Sequence, residues 1–375
     1  MGTTGKAAPI SGESRATGKV LRLACFSAYT TNLRAVACVR VLQKLGYEIQ
    51  QPAGWGPKGS VWELLLTLLP NCWTALVGKM DLAVGFKPHL NVCLPLLICK
   101  LRGIATWIDV DDLDHAYRQG WISLLVELSQ KPFPHLFDIV SYHHPNLRDF
   151  LTKSMRCRAD QLLQIEQGVD FANFNAGVSS SKKAEISARL GIYGKRVAIY
   201  TAHLNVASDL EPVLQAWKRV VISIPDALLL VVGGGPLLVH YQRRSKNLGL
   251  DRQVIFTGEV PHSEVSSYLA LSEVALLFFS ERLVNAYRSS LKLREYFAAG
   301  IPVVCNDFGE LRQYSHFTYQ SSSSIMDYAS RICQVLEGSR DGRELKAQDI
   351  AQERFDWDRI IASAEAEIAK RIPRR

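Results

Sequence analysis

The residues best suited to chemistry lie in one stretch, Ser289 to Val304, reading SSLKLREYFAAGIPVV. Ser289 or Ser290 is a natural N-cap, and Gly300 followed by Pro302 ends the helix between them. A helix N-terminus presents backbone N–H groups and positive dipole, which together seat a diphosphate. Lys292 falls in the first turn, where a cation opposes the dipole, so it is expected to face a bound anion. Glu295 follows three residues later on the same face, too far along to close a capping box with either serine. A carboxylate at that depth can accept both hydroxyls of a ribose. The plainer alternative is a solvated salt bridge between the two, worth about 0.2–0.5 kcal/mol.

A second constellation is WIDVDDLDH, which sets Asp109, Asp111, Asp112 and Asp114 after an apolar run and ends on His115. Crowded carboxylates repel one another, so some are held protonated and one can orient or deprotonate an acceptor hydroxyl. Asp109, Asp111, Asp112 and His115 are the expected catalytic group. Two plainer readings stand beside this one. Aspartates so spaced can hold a divalent cation, and Asp111 or Asp112 can cap the next helix. His89 in FKPHLN is a further acceptor-side candidate, while His143 and His144 read as structural.

Strand ends must hold these residues. VLRLACF (20–26), YEIQQ, DLAVGF (81–86), IATWIDV (104–110) and DIVSYH (138–143) are short apolar runs separated by helical periodicities. The pattern restarts at KRVAIYTA (195–202) and continues through ALLLVVGGG, QVIFTG (253–258), VALLFFS (274–280) and IPVVCND. Buried runs alternating with helices make parallel sheets covered on both faces. The expected class is α/β, two Rossmann-like doubly wound domains facing a central cleft, with ligands at the carboxyl ends of the strands. The expected layout is a disordered tail (1–18), a first domain (19–175), a second domain (186–355) and a closing helix (356–372) packing back toward the first domain. ANFNAGVSSSKKAE, near 172–186, reads as a flexible connector.

Composition narrows the partners. An apolar share of 47% and a charged share of 21% exclude a disordered or coiled-coil chain. The net charge of +8 suits phosphate-bearing small molecules or an anionic membrane face, and no nucleic-acid partner is expected. The eight cysteines show no metal spacing and sit mostly in apolar runs, which predicts reduced thiols and a cytoplasmic location. The polar opening predicts no signal peptide. The apolar stretch from Trp62 to Gly103 is interrupted by prolines and charges too often for a membrane span. Within it SVWELLLTLLPNCWTALVGKM is amphipathic, fit either to pack inside a domain or to rest peripherally on a bilayer.

The second half resembles retaining glycosyltransferases of the GT-B fold, specifically glycosyltransferase family 4. VAIYTAHLNVASDLEPVLQAWKRV, PDALLLVVGGGPLL, VIFTGEVPHSEVSSYLALSEVALL and SLKLREYFAAGIPVV arrive in that family's order. FDWDRIIASAEAEIAKRI resembles its closing helix, and DLAVGFKPHLNVCLPLLICKLRGIATWIDVDDLD its acceptor-side strands. The resemblance implies a nucleotide-sugar donor held by the second domain, with no metal and no cofactor beyond that co-substrate. It places the ribose on Glu295 and the diphosphate on the backbone from Ser290 through Leu291 and Lys292, with the Lys292 side chain in addition. Gly233, Gly234 and Gly235 would let the chain pass close to the ligand, and Gly258 to Val260 would lie near the nucleobase. The acceptor is expected to be a hydroxyl, lipid-linked on the cytoplasmic leaflet or soluble.

Two departures stand out. Tyr287, eight positions before Glu295, replaces a common first glutamate, and Glu281 is out of register. The loop TAHLNVASD has Ala202, His203 and Asn205 where the family places Arg or Lys against the leaving diphosphate. His203 is then either a phosphate ligand or a structural histidine. This loss motivates an alternative, a non-catalytic nucleotide-sugar-binding subunit or weakly active homologue. A nicotinamide oxidoreductase is disfavoured because GGGPLL is not GxGxxG.

Overall fold

A computed structural model describes residues 21–28, 32–51, 61–111, 113, 115, 120–176 and 178–371. The predicted tail, Asp112 and Asp114 lie outside the described residues.

Strands β1 (Arg22–Ser27), β2 (Glu48–Gln50), β3 (Leu82–Phe86), β4 (Ala105–Val110), β5 (Ile139–Tyr142) and β6 (Leu162–Gln164) form one parallel sheet, in the order β2-β1-β3-β4-β5-β6. Strands β7 (Arg196–Thr201), β8 (Ala227–Val232), β9 (Val254–Phe256), β10 (Val274–Leu277), β11 (Val303–Asn306) and β12 (Tyr319–Ser321) form the second, in the order β12-β11-β10-β7-β8-β9. The central strands are mostly apolar because helices cover both faces; every residue of β8 is apolar and buried, whereas β4 buries Thr106 and Asp109 with partners. Edge strands β6 and β12 have three residues each and escape an apolar-run reading, since an edge needs little burial. In each sheet the chain runs outward one way, then returns to the other side of its first strand. The resulting switch points lie between β1 and β3 and between β7 and β10.

The predicted connector is helical instead of flexible. Helices Phe171–Ala176 and Ser180–Leu190 fill it, the latter capped by Ser179, which accepts from the Lys182 N–H at 3.1 Å. Its serines and lysines form the outer face of a helix whose Ile186 is buried. The helix Trp357–Arg371 leaves the second domain and packs Trp357, Ile361 and Ile368 into the first-domain core with Cys38 and Val41. Arg40 and Lys44 both reach Asp358, at 3.0 and 2.6 Å, and tie it to the helix Leu33–Lys44.

The carboxyl ends of the two sheets meet. Just past β5, His143 Nε2 accepts from the Ser289 N–H at 2.9 Å, and Asn146 Nδ2 donates to Ala286 O at 2.7 Å. Phe150 meets the edge of Tyr287 with centroids 6.1 Å apart.

Candidate active site

The helix Leu291–Ala298 begins at Ser290, whose Oγ accepts from the Leu293 N–H at 3.3 Å. The turn before it is pinned from beneath. Glu310 accepts from Ser289 Oγ at 2.7 Å and from the Ser290 N–H at 2.6 Å, and pairs with buried Arg294. With those two groups engaged, the amides of Leu291 and Lys292 come first in the helix and have no intrahelical acceptor by position. They are the groups left to meet an anion.

Lys292 lies over the Tyr200 ring, Nζ 4.3 Å from its centroid and 3.2 Å from its hydroxyl. Burial, followed by the nearby Arg288, pushes its pKa down to about 7. Arg288 sits 4.3 Å over Phe279 and donates to Ala207 O at 3.0 Å. Arg282 donates to Val206 O at 2.7 Å, and both guanidinium groups reach Asp209, at 2.7 and 3.5 Å. One carboxylate between two arginines leaves the cluster positive. The loop 202–209 therefore does have cations beside it, supplied by the segment after β10. Sequence reasoning looked for them within the loop; they come from a distant segment because β7 and β10 are neighbours at the switch point.

Glu295 is buried, with Oε1 2.7 Å from Nε2 of half-exposed His262. That hydrogen bond raises the His262 pKa above the usual histidine value. The expected open carboxylate is thus covered by an imidazole, from a loop whose lone histidine carried no sequence signal. The same loop holds Gly258, at φ +72°, and Val260, which packs against the core, so Glu295 is brought to the segment expected near the nucleobase.

The glycine run packs against the protein's own loops. A Cβ at Gly233 would overlap the Ala202 carbonyl, and one at Gly235 would lie 2.5 Å from Leu204 O. Gly234 O accepts from the Leu204 N–H at 2.7 Å, and the Gly233 N–H donates to Gly258 O at 3.1 Å. Close approach is needed here, but to the neighbouring loops of the protein. His203 is exposed and only its carbonyl is engaged, by Ser208 Oγ at 2.8 Å, so its ring has no packing role.

On the acceptor side, Asp109 is corrected from catalyst to scaffold. It is fully buried and receives Arg34 Nε and Nη2, each at 2.9 Å, together with the Ser141 hydroxyl. Arg34, from a helix far upstream, was not anticipated. Asp111 pairs with Lys87 at 3.1 Å just past β3. Mutual repulsion among the aspartates is therefore not the governing effect, since Asp109 and Asp111 each have a cation. His115 is nearly buried and stacks on Phe150 at 6.0 Å, against the interdomain contact with Tyr287. His89 is buried at the start of the helix Leu90–Leu101. Burial pushes the His143 and His144 pKa values down, so both are neutral, and His143 serves the interdomain contact. Among the described residues, no three His, Cys, Asp or Glu side chains converge to hold a metal ion.

Residues 182–348 match the family described as glycosyl transferases group 1. The chain is 25% identical over 198 residues to a GDP-mannose-dependent alpha-(1-6)-phosphatidylinositol monomannoside mannosyltransferase of Mycolicibacterium smegmatis, covering 52% of this chain and 51% of that protein. It is 25% identical over 178 residues to an N-acetyl-alpha-D-glucosaminyl L-malate synthase of Bacillus anthracis, covering 46% and 44%. The chain spans about half the length of the curated relatives it matches. Anabaena Alr3699/HepE in complex with UDP has a similar fold, with a TM-score of 0.69 at 14% identity over 94% of this chain and 100% of that one. Residues 182–348, within the second domain, thus match the group 1 glycosyl transferases, and two doubly wound domains meeting at their strand ends give the chain the GT-B fold.

Proposed function

We propose that this chain is a retaining glycosyltransferase of family 4 that moves a sugar from a nucleotide-sugar donor to a hydroxyl acceptor. One observation carries the reading: at the β7–β10 switch point, the tip of the helix Leu291–Ala298, Lys292 and Arg288 converge one turn before Glu295. The donor diphosphate lies against the Leu291 and Lys292 amides. Arg288 and Lys292 stabilise its charge as the sugar–phosphate bond breaks. The ribose hydroxyls take Glu295 in place of His262. The acceptor hydroxyl enters beside Lys87, Asp111 and His115, attacks the anomeric carbon from the face of the departing diphosphate, and gives its proton to that leaving group.

The donor class is supported by the GDP-mannose in the Mycolicibacterium relative's name and the UDP in the Anabaena structure. One relative is named for a lipid acceptor and the other for L-malate, so the acceptor is drawn at the level of a hydroxyl, with a lipid-borne one included. Six of the eight cysteines are buried in the cores, which supports a reducing, cytoplasmic setting. The reaction is proposed without metal or further cofactor, the cations being Arg288 and Lys292.

A thermal-shift screen against UDP-, GDP- and ADP-sugars tests the donor, followed by transfer assays with anomeric analysis of the product. Stabilisation by one nucleotide class and an axial product are expected. No stabilisation by any of them overturns the reading, and binding without turnover on any acceptor favours the binding-only alternative.

A further inference from the structure

From Leu66 onward the helix Val61–Val77 buries polar side chains and exposes apolar ones. Thr67 and Asn71 point inward: Asn71 Nδ2 donates to Asn91 O at 3.0 Å, and Asn91 Nδ2 donates to Thr67 Oγ1 at 3.2 Å. Thr67, Asn71 and Ala75 are buried on the side that packs against the helix Leu90–Leu101. Leu66, Leu69, Trp73, Leu76 and Val77 are each more than half exposed. Their spacing of three to four residues sets them along one outward face. A contiguous apolar stripe of that size marks an interaction surface.

The surroundings of the stripe indicate its partner. Exposed Lys79 follows the helix, and exposed Arg102 donates to the carbonyls of Ala75 and, at 2.9 Å, of Gly78. Leu101, also exposed, adjoins Arg102. Asp81, which follows the helix, is held by the Arg22 N–H at 2.9 Å, and the helix itself carries a single acidic residue, Glu63, at its start. Apolar side chains with a tryptophan, rimmed by cations, match the boundary between hydrocarbon and anionic head groups. A second copy of the chain carries the same net charge of +8 and would be repelled, whereas an anionic surface attracts it. Among the described residues no helix is long and apolar enough to cross a membrane, so the helix would lie along the surface.

We propose that the first domain docks on an anionic lipid bilayer through the outward face of the helix Val61–Val77, with Lys79 and Arg102 against lipid phosphates. The surface goes beyond the transfer reaction and is read without donor or acceptor, so either reading can fail while the other stands.

The test is co-sedimentation of the full chain with vesicles of phosphatidylcholine containing phosphatidylglycerol, and with phosphatidylcholine alone. Binding to the anionic vesicles is expected, weakened at least tenfold by high salt or by omitting phosphatidylglycerol. Leu69→Glu combined with Trp73→Glu should abolish it, and Lys79→Glu should weaken it, while circular dichroism and melting temperature stay near wild type because these side chains are exposed. Absence of binding to any vesicle at low salt overturns the proposal. So does a stable dimer in solution that Trp73→Glu dissociates, because a second copy would then cover the face.

Discussion

Glu295 and His262 hold each other across the base of the proposed donor site, Oε1 to Nε2 at 2.7 Å, with the carboxylate side chain 6% exposed and the imidazole 56%. A ribose entering the site must take over the carboxylate from the imidazole. Glu295→Gln keeps the shape but loses the charged acceptor. Donor affinity should fall about 10- to 100-fold, as for a lost charge-assisted hydrogen bond of about 1.5–3 kcal/mol. Calorimetric titration of the donor checks this, and unchanged affinity would remove Glu295 from the site.

The same pair sets a pH dependence. The His262 pKa is raised in the folded state, first by the Glu295 hydrogen bond. Its stabilisation is therefore fully present below the unfolded value of about 6.5 and is lost as pH rises through the folded value. The urea midpoint of the wild type should carry a fall across that window that His262→Ala lacks. Identical pH profiles for the two proteins would show that the pair contributes nothing in solution.

Lys292 behaves in the opposite sense. Its folded pKa of about 7 lies below the unfolded value near 10.4, so this residue makes stability rise with pH between the two. A diphosphate placed beside it would restore its proton. At pH 8, donor binding should take up protons, and affinity should weaken as pH rises further. Titration in two buffers of different ionisation enthalpy measures the uptake, which Lys292→Arg should abolish.

Arg288→Ala tests whether the loop's cation comes from the segment after β10. The expected loss in kcat/KM is about 10²–10³-fold, the scale of removing one group that stabilises transition-state charge. Arg288→Lys should recover part of it. Arg282→Ala, at a more exposed position, should cost far less. Equal losses for the two would mean that Asp209 organises the loop and that neither arginine meets the donor.

Asp109→Ala should destabilise the fold by about 3–5 kcal/mol, because Arg34 would be left buried without its partner. Replacing both, as Arg34→Met with Asp109→Leu, should return most of that stability. Asp111→Asn should instead lower turnover about 10²-fold at nearly unchanged melting temperature. Denaturation curves beside kinetics separate scaffold from catalyst.

The apolar runs announced both sheets because a strand buried on two faces is mostly apolar and admits polar side chains only where they find partners, as β8 illustrates. The helix tip at Ser290 was equally legible, since N-capping is local chemistry between residues three apart. The connector misled because amphipathic helices on a surface can be mostly polar; Ile186 and Leu190 anchor that one to the core. Asp109 misled because four aspartates within six positions carry no mark of which one will face an arginine 75 positions away.

The sequence by itself determined two parallel α/β domains, the helix capped at Ser290, and the carboxylate one turn inside it, all set by local periodicity and capping. Tertiary structure alone decided that Arg288 lies beside a loop lacking a cation of its own, that His262 covers Glu295, and that Leu66, Leu69 and Leu76 face outward. Each of those depends on which strands become neighbours and which helix face is covered, and contacts between distant segments leave no trace in local spacing.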